Sequence, residues 1–191
     1  SSATAWSSSI TRADGVSAPT PAPVDVWVVR LSEHIGDGSD PAALLSPTEH
    51  ERAARFHAAR DRRRFIAAHA ALRILLGRHL DMPPGAIGFA TGPHGKPRLR
   101  SAAPLDFNLS HSADLALVAI TRGQAVGVDI ERIEPEIEHD LICEQFLSAA
   151  ERAVLRATGA ADKAAALTAC WTRKEAYIKP TGTGVSRGRA H

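Results

Sequence analysis

Aromatic side chains are scarce in this 191-residue chain. Phenylalanine, tryptophan and tyrosine together make up 5% of it, and there is one methionine. The core must therefore rest on alanine, leucine, isoleucine and valine, and surfaces for stacking nucleic-acid bases are few. Only two cysteines occur, Cys143 and Cys170, 27 positions apart, which excludes a disulfide scaffold. Neither they nor the nine histidines show metal-ligand spacing, so no zinc site follows. No apolar run approaches the ~20 residues needed to span a bilayer, and the N-terminus lacks the basic-then-apolar pattern of a secretory signal. Walker A loop, GxGxxG and nucleophile elbow are all missing, which demotes the classes built on them. These absences lead us to expect a cytoplasmic protein with no membrane and no nucleic-acid partner.

What is present suits a globular protein. Hydrophobic residues make up 44% and charged residues 23%, enough of the former to bury a core. The net charge of +2 decides little, but its distribution says more. Between Pro47 and Leu80 eight arginines (among them Arg52, Arg64 and Arg73) stand against Glu49, Glu51 and Asp61, a balance of +5. Between Asp129 and Glu151 eight acidic residues stand against Arg132, a balance of −7. A basic segment followed by an acidic one suits a site holding both phosphates and a cation, and it equally suits two solvated helix faces.

Residues 1–24, rich in Ser, Ala, Thr and Pro, read as a mobile leader. Val24 to Leu31 reads as a first strand. Ser46-Pro47-Thr48-Glu49 carries the signature of a capped helix start. One helix is expected to about Arg60 and a second from Asp61 to Leu80, stopped by Asp81-Met82-Pro83-Pro84-Gly85. The middle is strand-like: 87–90 leads into the loop 91–97, followed by 107–109, 115–121 and 125–133. The last two read as an antiparallel hairpin. Helices return near 137–146, after the Ser148-to-Glu151 cap, and from about Asp162 to Lys179. This order argues for α+β.

The most informative segment is Val126-Gly127-Val128-Asp129-Ile130-Glu131. In a strand, alternation puts Asp129 and Glu131 on one face, opposite Val128 and Ile130. The two carboxylates then lie roughly 6.6 Å apart along the strand, and they repel unless solvent or a cation neutralises them. Mg²⁺ typically takes one or two carboxylates together with substrate phosphate oxygens. A solvent-facing strand end is the plain alternative. A third carboxylate enters from the last helix, where Leu167, Trp171, Lys174 and Ile178 outline an apolar stripe with Glu175 on or beside it. A carboxylate there needs a partner. Lys179, four residues on, offers a modest helical ion pair, and a metal shared with Asp129 and Glu131 is the sharper reading. Gly95-Lys96-Pro97 and Asn108-Leu109-Ser110-His111-Ser112 look like handles for phosphate oxygens. A surface turn and a strand-end turn are their bland equivalents.

In order, these pieces resemble the Sfp-type 4′-phosphopantetheinyl transferases of the holo-acyl-carrier-protein synthase superfamily. The match runs through Gly95-Lys96-Pro97, then 107–112, then 126–131. Phe146 to Glu151 and Trp171 to Lys179 complete it, with Glu51 to Phe56, Arg64 and Arg73 upstream. It covers about residues 25 to 184. The resemblance implies an α+β, pseudo-twofold fold of two similar α/β halves with antiparallel sheets, 25–110 and 111–191, with coenzyme A in the cleft between them. It implies that Asp129, Glu131 and Glu175 bind Mg²⁺, with Mn²⁺ an alternative. By the same resemblance Arg52, Arg64 and His111 take the 3′-phosphate of coenzyme A, Lys96 lies at its adenine and ribose end, and Ser110 lies near the phosphates. Lys179 contacts the pyrophosphate and assists the leaving group. Glu175 is the candidate base, and Glu151 matches a further active-site glutamate.

The implied reaction moves the phosphopantetheine arm of coenzyme A to a serine of an apo acyl or peptidyl carrier protein, releasing adenosine 3′,5′-bisphosphate. It would activate carriers of polyketide, nonribosomal peptide or fatty acid synthesis. Family members continue for some tens of residues beyond the match to Gly182-Thr183-Gly184, so the chain reads as lacking the family's C-terminal end. A monomer is expected, with self-association as a way to cover an exposed sheet edge. Pro180 should stop the last helix after Lys179. Two other readings stand beside this one: a Mg²⁺-dependent phosphohydrolase or nuclease, and a non-catalytic domain that binds coenzyme A or a carrier protein.

Overall fold

The structure, a computed structural model, describes residues 10–12, 23–33, 40–92, 95–134 and 146–181. Four strands make one antiparallel sheet in the order β1 (Ile10–Arg12), β2 (Asp25–Arg30), β6 (Leu115–Arg122) and β5 (Leu105–Ser112). A separate hairpin pairs β3 (Phe89–Thr91) with β4 (Pro97–Leu99). The helices are α1 (Pro47–Ala54), α2 (Ala59–Leu80), α3 (Ala149–Ala157) and α4 (Ala160–Ile178). This is the expected α+β architecture. No helix among the described residues is long and apolar enough to cross a membrane.

The core follows from alternation on the strands and the 3.6-residue period of α2. Trp27 and Val29 of β2, Ala116, Val118 and Ile120 of β6, and Leu105 and Phe107 of β5 all face the same side. There they meet Ala68, Leu72, Leu75 and Leu76 of α2. The alternate residues of β5, namely Asp106, Asn108, Ser110 and Ser112, are turned to the other side, and that side carries the chemistry described below.

Helix starts obey their local signals. Ser46 and Glu49 form a reciprocal capping box at α1, and Ser148 and Glu151 form another at α3. Pro180 ends α4 at Ile178, and a single 3₁₀ turn, Lys179–Thr181, follows. Expectation and structure differ elsewhere. The break between α1 and α2 falls at residues 55–58, ahead of Arg60. Leader 1–24 contains β1, which pairs with β2 through Ile10↔Val29, Thr11↔Val28 and Arg12↔Trp27. Three residues are too short a run to leave a periodic signal. The helix expected near 137–146 lies, but for Phe146, outside the described residues.

The main correction concerns 125–133. It is not the second arm of a hairpin with 115–121. The hairpin partner of β6 is β5, joined by Ala113 and Asp114 with Ala113 left-handed at φ 50. Segment 126–132 runs instead parallel to β5 across the open face of the sheet. The division between halves at 110 and 111 also passes through β5. Valine-rich alternation marks an extended chain, and it carries no record of whether backbone or side chains receive its N–H groups.

Candidate active site

Gly127 lets the 126–132 segment pass directly beneath the end of α4. A Cβ at this position would collide with the Ala176 carbonyl oxygen and stand 2.5 Å from Pro180 Cδ. Only glycine permits so close a crossing. It delivers Lys179, the residue just after α4, onto the segment. There Lys179 Nζ donates to Ser110 Oγ at 3.0 Å, to the Val128 carbonyl at 3.1 Å and to Asp129 Oδ1. Three acceptors meet the three N–H groups of an ammonium. Residues that are 50 and 69 positions from Lys179 in sequence thus share one site.

Asp129 is held from a second side by Ser110, whose hydroxyl donates to Oδ1 at 2.8 Å. Glu131 is held in the same way by Ser112, whose hydroxyl donates to Oε2 at 3.1 Å. Both carboxylates therefore sit on the face expected, each beside a serine of β5. Glu175 falls in line with Leu167 and Trp171 along the buried stripe of α4 and is 8% exposed. Carboxylate oxygens are the donors a hard divalent cation prefers. Asp129 Oδ2 is buried with no hydrogen-bond partner among the described residues, so it is an acceptor awaiting a donor or a cation. Among the described residues no three carboxylate, imidazole or thiolate groups converge into a ready cage. The donor chemistry fits a cation, and the ammonium of Lys179 stands in for one at Asp129.

Lys96 enters from the loop before β4, where Gly95 adopts φ 83, a conformation that favours glycine. Its ammonium donates to Asp106 Oδ2 at 2.7 Å and to the Val126 carbonyl at 3.0 Å. It lines a cavity of about 420 Å³ with Arg98, Gln124 and Pro180.

The arginine-rich helices lie across the sheet from this constellation. Arg64 Nε donates to Asp114 Oδ1 at 2.8 Å, which ties it to the β5–β6 turn three residues from His111. The bond to Asp114 raises the Arg64 pKa above its ordinary value despite partial desolvation, with Asp61 assisting. Alternation along β5 places His111 on the α2 side. Arg52 is exposed on α1, its guanidinium 5.3 Å from the centre of the Phe65 ring. Arg73 leaves the basic cluster altogether. It is 1% exposed and donates to Glu49 Oε2 through Nε at 2.9 Å and Nη2 at 2.6 Å. His69 and Ser46 also hold Glu49. Burial would raise the Glu49 pKa, but these partners overturn that and keep it well below the carboxylate range.

Glu151 stands apart from Asp129 in its contacts. It accepts from the Lys174 ammonium at 2.7 Å and from the Ser148 backbone N–H at 2.7 Å. The bond from Lys174, followed by those from Ser148, lowers its pKa to about 2. It lines a largely apolar groove between α3 and α4 that Glu175, Trp171 and Tyr177 also line. Asp106, Asn108 and Ser112, which accept the N–H groups of residues 126, 128 and 132, are contacts that sequence reasoning missed or cast as phosphate handles. The available signal was the alternation of polar 106, 108, 110 and 112 with apolar 105, 107 and 109 in β5.

The model described as 4′-phosphopantetheinyl transferase superfamily matches residues 125–190, and one described as 4′-phosphopantetheinyl transferase, N-terminal, matches 39–122. The chain is 36% identical over 167 residues to the 4′-phosphopantetheinyl transferase HetI of Nostoc sp., covering 86% of this chain and 70% of that protein. It is 38% identical over 137 residues to the 4′-phosphopantetheinyl transferase psf-1 of Bacillus pumilus, covering 71% of this chain and 57% of the relative. With the 4′-phosphopantetheinyl transferase Sfp of Bacillus subtilis it shares 29% over 145 residues, 75% of this chain and 63% of the relative. It thus spans less than two thirds of the length of several of the relatives it matches. Two consecutive family models and a relative 36% identical over 86% of this chain agree, and the chain belongs to the 4′-phosphopantetheinyl transferase superfamily, of the Sfp type.

Proposed function

We propose that this chain transfers the 4′-phosphopantetheine arm of coenzyme A to a serine hydroxyl of an apo acyl or peptidyl carrier protein, releasing adenosine 3′,5′-bisphosphate. The observation that carries the reading is the meeting of Lys179, Ser110 and Asp129, with Glu131 alongside, at the end of β5 where Arg64 approaches from the opposite side. An ammonium and a serine hydroxyl can contact a pyrophosphate there. Arg64, Arg52 and His111 can take the 3′-phosphate, whereas Lys96, bonded to Asp106 at the other end of β5, stands away from that group.

A serine hydroxyl is a weak nucleophile and needs a base. Glu175, directly or through one water, accepts its proton as the oxygen attacks the phosphorus that bears the pantetheine. The bond from that phosphorus to the bridging oxygen breaks, and negative charge gathers on the departing bisphosphate. Lys179 stabilises that charge, which is the main demand of phosphoryl transfer. Asp129 and Glu131 would hold Mg²⁺ or Mn²⁺, with Glu175 as the third carboxylate that the family resemblance implies, and the ion's charge would further neutralise the pyrophosphate.

The test is intact-mass spectrometry of an apo carrier protein incubated with this chain, coenzyme A and Mg²⁺, with EDTA in a parallel sample. The expected result is a gain of one phosphopantetheine arm, abolished by EDTA. Absence of the gain on a carrier that a longer relative modifies under the same conditions would overturn the proposal for this chain.

A further inference from the structure

Every second backbone N–H from Val126 to Arg132 ends on a side chain of β5 at a constant offset of 20 residues. Val126 donates to Asp106 Oδ2 at 2.8 Å and Val128 to Asn108 Oδ1 at 2.8 Å. Ile130 donates to Ser110 Oγ at 3.4 Å and Arg132 to Ser112 Oγ at 3.0 Å. In an ordinary sheet the partner's carbonyls receive such N–H groups. Here four polar side chains form the rail.

Each serine on this rail both accepts a backbone N–H and donates to a carboxylate. Ser112 Oγ accepts the Arg132 N–H and donates to Glu131 Oε2. Ser110 Oγ accepts the Ile130 N–H and donates to Asp129 Oδ1. One hydroxyl thereby fixes both the backbone after an acidic residue and the carboxylate itself. Asn108, 8% exposed, holds Val128, the residue before Asp129. Asp106 anchors the rail's start and is pinned by Lys96.

We propose that Asn108 and Ser112 are positioning residues that set the separation and aim of Asp129 and Glu131, and thereby determine how tightly this pair binds a divalent cation. The inference rests on the reading of Asp129 and Glu131 as cation ligands. Side chains that orient ligand carboxylates commonly govern metal affinity by about 10- to 100-fold.

The probe is Mn²⁺, titrated into the full chain without coenzyme A and followed by electron paramagnetic resonance. Thermal midpoints are measured without metal. Ser112→Ala is expected to weaken Mn²⁺ binding about 10-fold with its midpoint unchanged. Ser112→Thr, which keeps the hydroxyl, restores the wild-type affinity. Asn108→Ala, which frees Val128 without altering either carboxylate, shifts affinity in the same direction. Wild-type Mn²⁺ affinity in Ser112→Ala, alongside loss of binding in Asp129→Asn, would overturn the positioning role while leaving the cation site standing. Wild-type affinity in both Asp129→Asn and Glu131→Gln would remove the cation reading itself, and this inference with it.

Discussion

Replacing Gly127 by alanine tests the crossing on which the site depends. The added Cβ would meet the Ala176 carbonyl, which belongs to helix backbone, and a proline ring at 2.5 Å from Cδ and 3.0 Å from Cγ. Neither neighbour is a flexible side-chain tip that can swing aside. Relief requires the end of α4 and the 126–132 segment to separate by about 1 Å, and overpacking of this kind costs about 1–3 kcal/mol. The separation falls between Lys179 on one side and Val128 and Asp129 on the other, groups now in direct hydrogen bonds. Misplacement of reacting groups by about 1 Å can cost about 100-fold in rate. The sheet and α2, whose core does not include Gly127, should keep their structure. Gly127→Ala is therefore expected to lower kcat/KM for carrier-protein modification about 100-fold, with a near wild-type circular dichroism spectrum and a modest fall in thermal midpoint. Phosphopantetheine transfer followed by intact mass at several carrier concentrations supplies the rate. A Gly127→Ala protein with wild-type turnover would refute the claim that this contact sets the site.

Three further outcomes are expected. Glu49→Gln removes the charge opposite Arg73, which is 1% exposed, and should cost about 3–5 kcal/mol in urea unfolding. Because the folded-state Glu49 pKa is depressed from 4.5, its contribution is present above that value and is lost as pH falls below it. Wild-type stability should thus drop below pH 4.5 more steeply than that of the mutant, and parallel acid slopes would contradict this. Lys179→Met is expected to reduce kcat by about 100- to 1,000-fold with a smaller change in KM, as loss of a charge-stabilising group does; an effect confined to KM would assign Lys179 to ground-state binding. Coenzyme A should bind the wild type more tightly than dephospho-coenzyme A, and Arg64→Ala should erase the difference in calorimetry. Equal affinities in the wild type would detach Arg64 from the 3′-phosphate.

Much of the helical framework was legible because its signals are local. The capping boxes at Ser46 and Ser148, and the proline after Lys179, act within four residues of themselves, so sequence alone determined where α1, α3 and α4 begin or end. The stripe of α4 was equally local, and it located Glu175 among buried apolar neighbours before any tertiary contact was known. The family followed from the order of the motifs.

Other features belong to tertiary structure. Arg52, Arg64 and Arg73 look alike in a basic run, yet only Arg73 is taken into the interior, because Glu49, 24 residues earlier, supplies a buried carboxylate. Segment 126–132 has the alternation of a strand, but its N–H groups go to side chains 20 residues upstream, and periodicity does not identify an acceptor. Lys179 had a nearby carboxylate in Glu175 at helical spacing, whereas the folded chain carries its ammonium to Asp129, 50 residues away. That choice depends on how closely two backbones approach at Gly127, a distance that exists only once the chain has folded.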